Sequence, residues 1–271
     1  MTDQYVVMGN PIAHSKSPAI HQAFSTQTEQ ALNYQTLLVP LDAFTETAKQ
    51  FFAEPANKGA NVTVPFKEQA YAWCDELSER AKIAGAVNTL YKRADGSIYG
   101  DNTDGLGLVS DLQAYTELAN KKVLLVGAGG AARGCLLPLI DAGVSHIDIV
   151  NRTFAKAQQL AAIAADKCSA REQAELNSAY DIIINSTSAS LHGQLPELPS
   201  AIIAAHSICY DMMYGKEMTL FNQWAQQQGA AQVIDGLGML VGQAAHSFKL
   251  WRGVMPQVQP VLMTMRQQLS E

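Results

Sequence analysis

The sequence predicts an α/β protein of two domains, one of them a doubly wound dinucleotide-binding fold. Three observations carry that expectation. At 271 residues the chain is longer than one typical domain. An apolar run at 123–126 breaks abruptly into Gly127-Ala128-Gly129-Gly130-Ala131-Ala132 and resumes as an apolar helix from Gly134. From residue 122 onward, short apolar runs alternate with helical stretches six times, the pattern of βα repeats on a parallel sheet.

Composition narrows the class. Hydrophobic residues make up 48% of the chain and charged residues 16%, as in a compact globular enzyme. A formal net charge of -6 argues against a nucleic-acid footprint or an anionic membrane surface as partner. Cys74, Cys135, Cys168 and Cys209 are scattered and form no CxxC, which suits free thiols in a reducing compartment. Met1-Thr2-Asp3-Gln4 has no basic leader character, and no apolar run approaches a bilayer span, so a cytoplasmic protein is expected. The six histidines show no HExxH spacing and no G-x-x-x-x-G-K-[ST] loop occurs, so neither a metal nor an ATP site is expected.

Taken in order, 5–9 reads as a strand, and Ser17-Pro18 as a helix start with serine as N-cap. A second strand spans 33–39, and Leu41, Phe44, Ala48, Phe51 and Phe52 mark an amphipathic helix ended near Pro55. A third strand runs 59–65 with a proline stop, and a helix begins at Phe66-Lys67. A helix around 78–83 precedes a hairpin of 86–91 and 97–99 turned by Ala94-Asp95-Gly96. The polar run 100–105 marks a domain boundary, followed by a helix carrying Leu106, Val109 and Leu112. The repeats then place strands at 123–126, 146–150, 168–171 (weakly), 181–184, 207–211 and 232–234, with clear helices at 153–165 and 219–228. Two more helical stretches, 237–251 and 256–269, end the chain.

The glycine-rich turn reads as G-x-G-x-x-A. Gly127 permits the tight turn, Gly129 lets the backbone approach a pyrophosphate, and Ala132 lets the helix pack on the strand. An NAD site wants an acid at the end of the next strand. This chain has Asn151-Arg152-Thr153, with Lys156 a turn later. Arg152 suits a 2′-phosphate held in bidentate fashion, so NADP is expected over NAD. Thr153 would also serve as a helix cap, and Lys156 alone reads as a solvated charge.

The first domain carries unusual polar residues at strand ends. Asn61 and Thr63 alternate with Val62 and Val64 and so share a face; Lys67 follows Pro65, Asn88 follows Gly85, and Asp104 lies in the boundary turn. Singly, these have structural readings: Ser17 caps a helix, Asn88 supports a turn, Lys67 is a surface charge. Together with Ser15 they describe a pocket of hydroxyls and amides with one Lys/Asp pair, suited to a small polyhydroxylated carboxylate. A lysine beside a carboxylate can carry the proton that leaves a carbinol as hydride departs. Met212, Met213 and Met239 read either as nicotinamide wall or as core filler.

The motifs Gly9-Asn10-Pro11 with Ser15-Lys16-Ser17-Pro18, Asn61-Val62-Thr63-Val64-Pro65-Phe66-Lys67, Ala84-Gly85-Ala86-Val87-Asn88-Thr89, the runs 100–105 and 127–133, Asn151-Arg152-Thr153, Asp235-Gly236-Leu237-Gly238-Met239-Leu240 and Gln243-Ala244 occur in this order. With them the chain resembles the shikimate/quinate dehydrogenase family from end to end, and most closely its NADP-dependent shikimate dehydrogenases. The resemblance implies a substrate domain of residues 1–101 plus 237–271 and an NADP-binding Rossmann domain of 102–236. It implies reversible reduction of 3-dehydroshikimate to shikimate, a step of chorismate and aromatic amino-acid biosynthesis. Ser15 and Ser17 would then bind the substrate carboxylate; Asn61, Thr63, Asn88, Asp104, Tyr214 and Gln243 would hold the rest of the substrate; Lys67 and Asp104 would be the catalytic pair. Gly127, Ala128, Gly129, Gly130 and Ala131 would cradle the pyrophosphate, and Asn151, Arg152, Thr153 and Lys156 the adenosine phosphate. Thr187, Met212, Gly236 and Met239 would face the nicotinamide. A quinate-oxidising relative using NAD or NADP, and a non-catalytic NADP-binding regulator, are the alternatives. Monomer and homodimer are both compatible with the sequence.

Overall fold

A computed structural model of the chain describes residues 2–270. The chain divides into two compact units, Met1–Gly107 with Leu240–Met265, and Leu108–Met239 with Arg266–Glu271. Each is built on its own six-stranded sheet.

The first unit alternates β1 (Asp3–Gly9), α1 (Ser17–Thr28), β2 (Leu32–Leu38), α2 (Phe44–Ala53) and β3 (Asn57–Val62), with β1 parallel to β2 and β3. Then come α3 (Lys67–Trp73), a two-residue β4 (Glu76–Leu77), α4 (Glu79–Ala84), and the hairpin of β5 (Thr89–Lys92) and β6 (Ile98–Asp101). β5 joins β3 antiparallel, which gives a mixed sheet of order β2-β1-β3-β5-β6-β4. Strand alternation sends Val6, Met8, Ala60, Val62 and Leu90 into a core with Phe44, Ala48 and Phe52, the apolar stripe of α2 at i, i+4 and i+8. The intervening residues face the other way. There Tyr5 meets Trp251 with ring centroids 4.8 Å apart, and His21 of α1 stacks on Tyr34 at 4.2 Å. Burial drives the His21 pKa down to about 3, so the ring is a neutral wall of this core.

Two local expectations are corrected in this unit. Ser17 is not the N-cap of α1; it is the first helical residue, Lys16 holds the cap position, and the Ser15 hydroxyl accepts from the Ser17 N–H at 3.3 Å. Pro18 still falls where helical N–H groups have no partner, so the start slides one residue without cost. The third strand leaves the ladder at Val62 rather than Pro65, although the Thr63 N–H still donates to the Met8 carbonyl at 2.9 Å. The β4 strand was not expected.

In the second unit, β7 (Lys122–Val126), β8 (His146–Val150), β9 (Cys168–Arg171), β10 (Ile182–Asn185), β11 (Ile208–Asp211) and β12 (Gln232–Asp235) form the expected all-parallel doubly wound sheet, ordered β12-β11-β10-β7-β8-β9. Its strands are apolar on both faces, and the faces pack separately. Val123, Leu125, Ile147, Ile149, Ile182 and Ile184 pack with α6 (Gly130–Asp141) and α7 (Phe154–Ala161), while Leu124, Val126, Val150 and Ile183 pack with Phe221 and Ala225 of α8 (Leu220–Gln227). α7 stops at Ala161 instead of 165 and tightens into a 3₁₀ turn at Ala162–Ala164, a common helix ending. Three further helices are α5 (Asp104–Leu112), α9 (Leu237–Arg252) and α10 (Val258–Ser270).

One buried charge decides a property of this sheet. Asp148 in the middle of β8 is 1% exposed, and accepts from Arg171 Nε at 2.8 Å and from the Tyr180 hydroxyl at 2.9 Å; Lys122 Nζ lies 3.4 Å away. Burial alone would raise its pKa, but the hydrogen bonds and charges of these partners outweigh it and hold the carboxyl below the usual range. A depressed folded-state pKa contributes stability above the unfolded-state value near 4, which is lost as pH falls through the folded value. Asp148→Asn is therefore expected to cost about 2 kcal/mol at pH 7, a figure discounted because the cations are half-exposed. Denaturant unfolding of both proteins at pH 7 and pH 3 checks this. The gap between them should narrow at pH 3, and an equal gap at both pH values rejects the assignment.

Candidate active site

In the first unit, the ends of β3, β5 and β6, together with α9, bring five of the singled-out residues together. The α3 helix begins at Lys67 after the short segment 63–66 that follows β3, and α5 begins at Asp104 after residues 102–103 that follow β6. Lys67 Nζ donates to Asp104 Oδ2 at 2.6 Å, with the lysine side chain 31% and the aspartate side chain 17% exposed. Asn88 Nδ2 donates to Asp104 Oδ1 at 2.8 Å and to Gln243 Oε1 at 3.2 Å. Both carboxylate oxygens of Asp104 are thus occupied as acceptors. The amine of Lys67 keeps other N–H directions for a ligand.

Asn61 is buried beneath this group. Its Oδ1 accepts from the Tyr34 hydroxyl at 2.7 Å, and its Nδ2 donates to the Asn88 carbonyl, Thr89 Oγ1 and Ser247 Oγ at 3.1, 3.2 and 3.0 Å. Thr63 is half-buried just beyond β3. Ser15 and Ser17 lie at the start of α1, a helix with no acidic residue in its first turn. The positive end of its dipole and two hydroxyls make that terminus suitable for a carboxylate. Tyr34, Thr89, Thr103 and Ser247 belong to this constellation and were not singled out in the sequence.

The second unit carries the glycine-rich turn and a cavity. Gly127 sits at φ +108°, where a Cβ would also meet Ser186 Oγ at 2.4 Å. At Gly129 and Gly130 an added Cβ would meet nothing within 4 Å, so the start of α6 is an open backbone cradle. The adjoining cavity of about 610 Å³ is lined by Gly127, Asn151, Arg152 and Thr187 among the expected cofactor residues. Ala128, Gly129, Gly130 and Ala131 lie along the turn into α6, and Thr153 and Lys156 along the start of α7, outside that lining. Thr153 takes the N-cap position of α7, but its side chain makes no capping hydrogen bond, so that part of its expected role is corrected. Gln173 and the segment from Gln194 to Leu198 also line the cavity. Gln173 was legible in principle, because strand order puts the end of β9 beside the end of β8.

Farther along the same sheet, Gly236 lies so close to β11 that its Cβ would stand 2.1 Å from the Met212 carbonyl oxygen. The Met239 N–H donates to the Tyr210 hydroxyl at 3.2 Å, and that hydroxyl donates to Asp111 Oδ2 at 2.7 Å. Met212, Gly236 and Met239 are thus held around the ends of β11 and β12, apart from the cavity lining. Tyr214 lies in the loop after β11, half-buried. Among the described residues no group of three or more His, Cys, Asp or Glu side chains is placed to hold a metal.

Family models match along the chain: the shikimate dehydrogenase substrate-binding domain at residues 7–90, shikimate/quinate 5-dehydrogenase at 110–193, and the shikimate 5′-dehydrogenase C-terminal domain at 236–266. The shikimate dehydrogenase (NADP(+)) of Vibrio cholerae serotype O1 is 58% identical over 99% of this chain and 97% of its own. The crystal structure of shikimate 5-dehydrogenase from Thermus thermophilus in complex with NADP(H) and shikimate is 31% identical, with a TM-score of 0.88 over 99% of this chain and 100% of that one. A 5-ketofructose reductase of Gluconobacter sp. strain CHM43 reaches the same TM-score at 28% identity and 99% coverage of both chains, so shape alone does not select the substrate. Identity, the family models and the motif residues agree, and the chain belongs to the shikimate dehydrogenase family.

Proposed function

We infer that this chain is an NADP-dependent oxidoreductase that interconverts 3-dehydroshikimate and shikimate, a step of chorismate and aromatic amino-acid biosynthesis. The observation that carries the mechanism is the Lys67–Asp104 contact of 2.6 Å with Asn88 on the other carboxylate oxygen. Bound NADP(H) supplies or accepts the hydride. Lys67 moves the matching proton: in the reductive direction its amine donates to the forming hydroxyl oxygen, and in the oxidative direction it takes that proton back. Asp104 holds the amine in place, and Asn88 holds Asp104.

We assign substrate binding to the first unit. Ser15 and Ser17, with the α1 terminus behind them, take the carboxylate; Thr63, Asn88 and Gln243 take ring hydroxyls, and Asn61 reaches the ring only while keeping its buried partners. Tyr214 is assigned to the substrate as well. The cofactor belongs to the second unit. The open cradle at Gly129 and Gly130 suits a pyrophosphate, and Asn151 with Arg152 on the cavity wall suits a 2′-phosphate. Thr153 and Lys156 extend that cationic and hydroxyl edge, while Thr187, Met212, Gly236 and Met239 are assigned to the nicotinamide end.

No helix of the described residues is long and apolar enough to cross a membrane. We place the enzyme in the cytoplasm, as a monomer or homodimer. The test is nicotinamide absorbance with shikimate or quinate, each with NADP+ or NAD+. Strong turnover with shikimate and NADP+ alone is expected. Comparable turnover with quinate or NAD+ would favour the broader quinate-oxidising enzyme, and no turnover with any pair would leave a binding protein.

A further inference from the structure

Under the Lys67–Asp104 pair lies a buried cluster of hydroxyls that the proton transfer itself does not use. Thr89 of β5, Thr103 between β6 and α5, and Ser247 of α9 are all almost wholly buried. Their oxygens form a triangle: Thr89 Oγ1 to Ser247 Oγ 2.7 Å, Thr103 Oγ1 to Ser247 Oγ 3.1 Å, Thr89 Oγ1 to Thr103 Oγ1 3.3 Å. Three segments, joined only by the fold, converge on a spot with no water-facing alternative.

The donors converge on one atom. Asn61 Nδ2 can only donate, and it points at both Thr89 Oγ1 and Ser247 Oγ. Ser247 Oγ lies 2.7 Å from Thr89 Oγ1, and its own hydroxyl donates to the Gln243 carbonyl at 3.1 Å. The single proton of Thr89 then goes to Asn88 Oδ1, 2.8 Å away. The Thr103 backbone N–H also donates to Asn88 Oδ1, at 2.9 Å. An amide side chain can turn over with little change of shape, exchanging its oxygen and nitrogen. With donors converging on one side, the Asn88 oxygen must face them. Its NH₂ is thereby aimed at Asp104 Oδ1 and Gln243 Oε1. Reversed, Asn88 would set its oxygen against the Asp104 carboxylate, acceptor against acceptor.

We propose that Thr89 is a positioning residue: its hydroxyl, fed by Asn61, joins the Thr103 N–H in setting the orientation of the Asn88 amide and through it the Asp104 carboxylate that holds Lys67. This rests on the dehydrogenase reading above, which wild-type turnover of shikimate with NADP+ tests separately. The isosteric Thr89→Val removes the hydroxyl and keeps the shape, while Thr89→Ser keeps the hydroxyl and removes a methyl. The loss of one buried hydrogen bond at the site is worth about tenfold in rate. Thr89→Val should therefore lower kcat about tenfold with KM for NADP+ unchanged, and Thr89→Ser should stay within about twofold of wild type.

Thermal unfolding of each variant separates this from loss of fold. If Thr89→Val does not fold, Thr89→Ala decides, with a several-fold lower kcat and unchanged KM for NADP+ expected. A folded Thr89→Val with wild-type kcat overturns the proposal. So does a Thr89→Ser variant as slow as Thr89→Val, because the methyl and not the hydroxyl would then matter. In the Thr89→Ala arm, an unchanged kcat overturns it.

Discussion

Replacing Lys67 with alanine is expected to lower kcat by about a hundredfold to ten-thousandfold, the range that a positioned proton carrier contributes. Its Nζ is the only amine that reaches Asp104 among the described residues, at 2.6 Å, and the side chain is 31% exposed, so a substrate can approach it. Shikimate KM should change far less than kcat, because the carboxylate and ring hydroxyls have other partners. Little stability should be lost, since a partly exposed ion pair contributes about 1 kcal/mol or less. Steady-state kinetics with shikimate and NADP+ check this. A raised KM with kcat intact would make Lys67 a ligand and remove the proton-transfer assignment.

Arg152→Asp should reverse the cofactor preference. The guanidinium lies exposed just past the end of β8 on the wall of the cavity, beside Asn151. A phosphate held there gains charge-assisted hydrogen bonds worth about 1.5–3 kcal/mol each. The aspartate removes these and adds repulsion, so kcat/KM for NADP+ should fall by about a hundredfold or more. An aspartate there can instead accept from a ribose 2′-hydroxyl, so NAD+ should lose little. Measuring kcat/KM with both cofactors for both proteins decides the point. An unchanged ratio would move the phosphate site elsewhere.

Most of this architecture was legible because its signals are local. The glycine turn after 123–126 and the short apolar strands each declare themselves within a few residues, and the second sheet follows them in order. Short-range rules failed where one residue mattered. The Ser17 cap moved because a helix preceding proline has a choice of starts, and β4 has too few residues to show any period. The polar residues at strand ends were visible as types, yet their partners were not. Asn61 meets Ser247 across 186 positions, and Asn88 meets Gln243 across 155. Thr89 and Ser247 look like any strand threonine and helix serine until the fold brings them together.

The first unit is not continuous in the chain, and this bears on synthesis. Its sheet is finished by residue 101, but Trp251, which donates to the Leu90 carbonyl at 2.9 Å, and Ser247 arrive with α9 about 150 residues later. During translation the N-terminal hundred residues leave the ribosome with one face of their sheet covered by α1 but not by α9. Closing that gap is a long-range contact with a large loop-entropy cost, met only once the intervening unit has itself become compact. Until then Tyr5 lacks the Trp251 ring it packs against, and the Leu90 carbonyl lacks its indole donor.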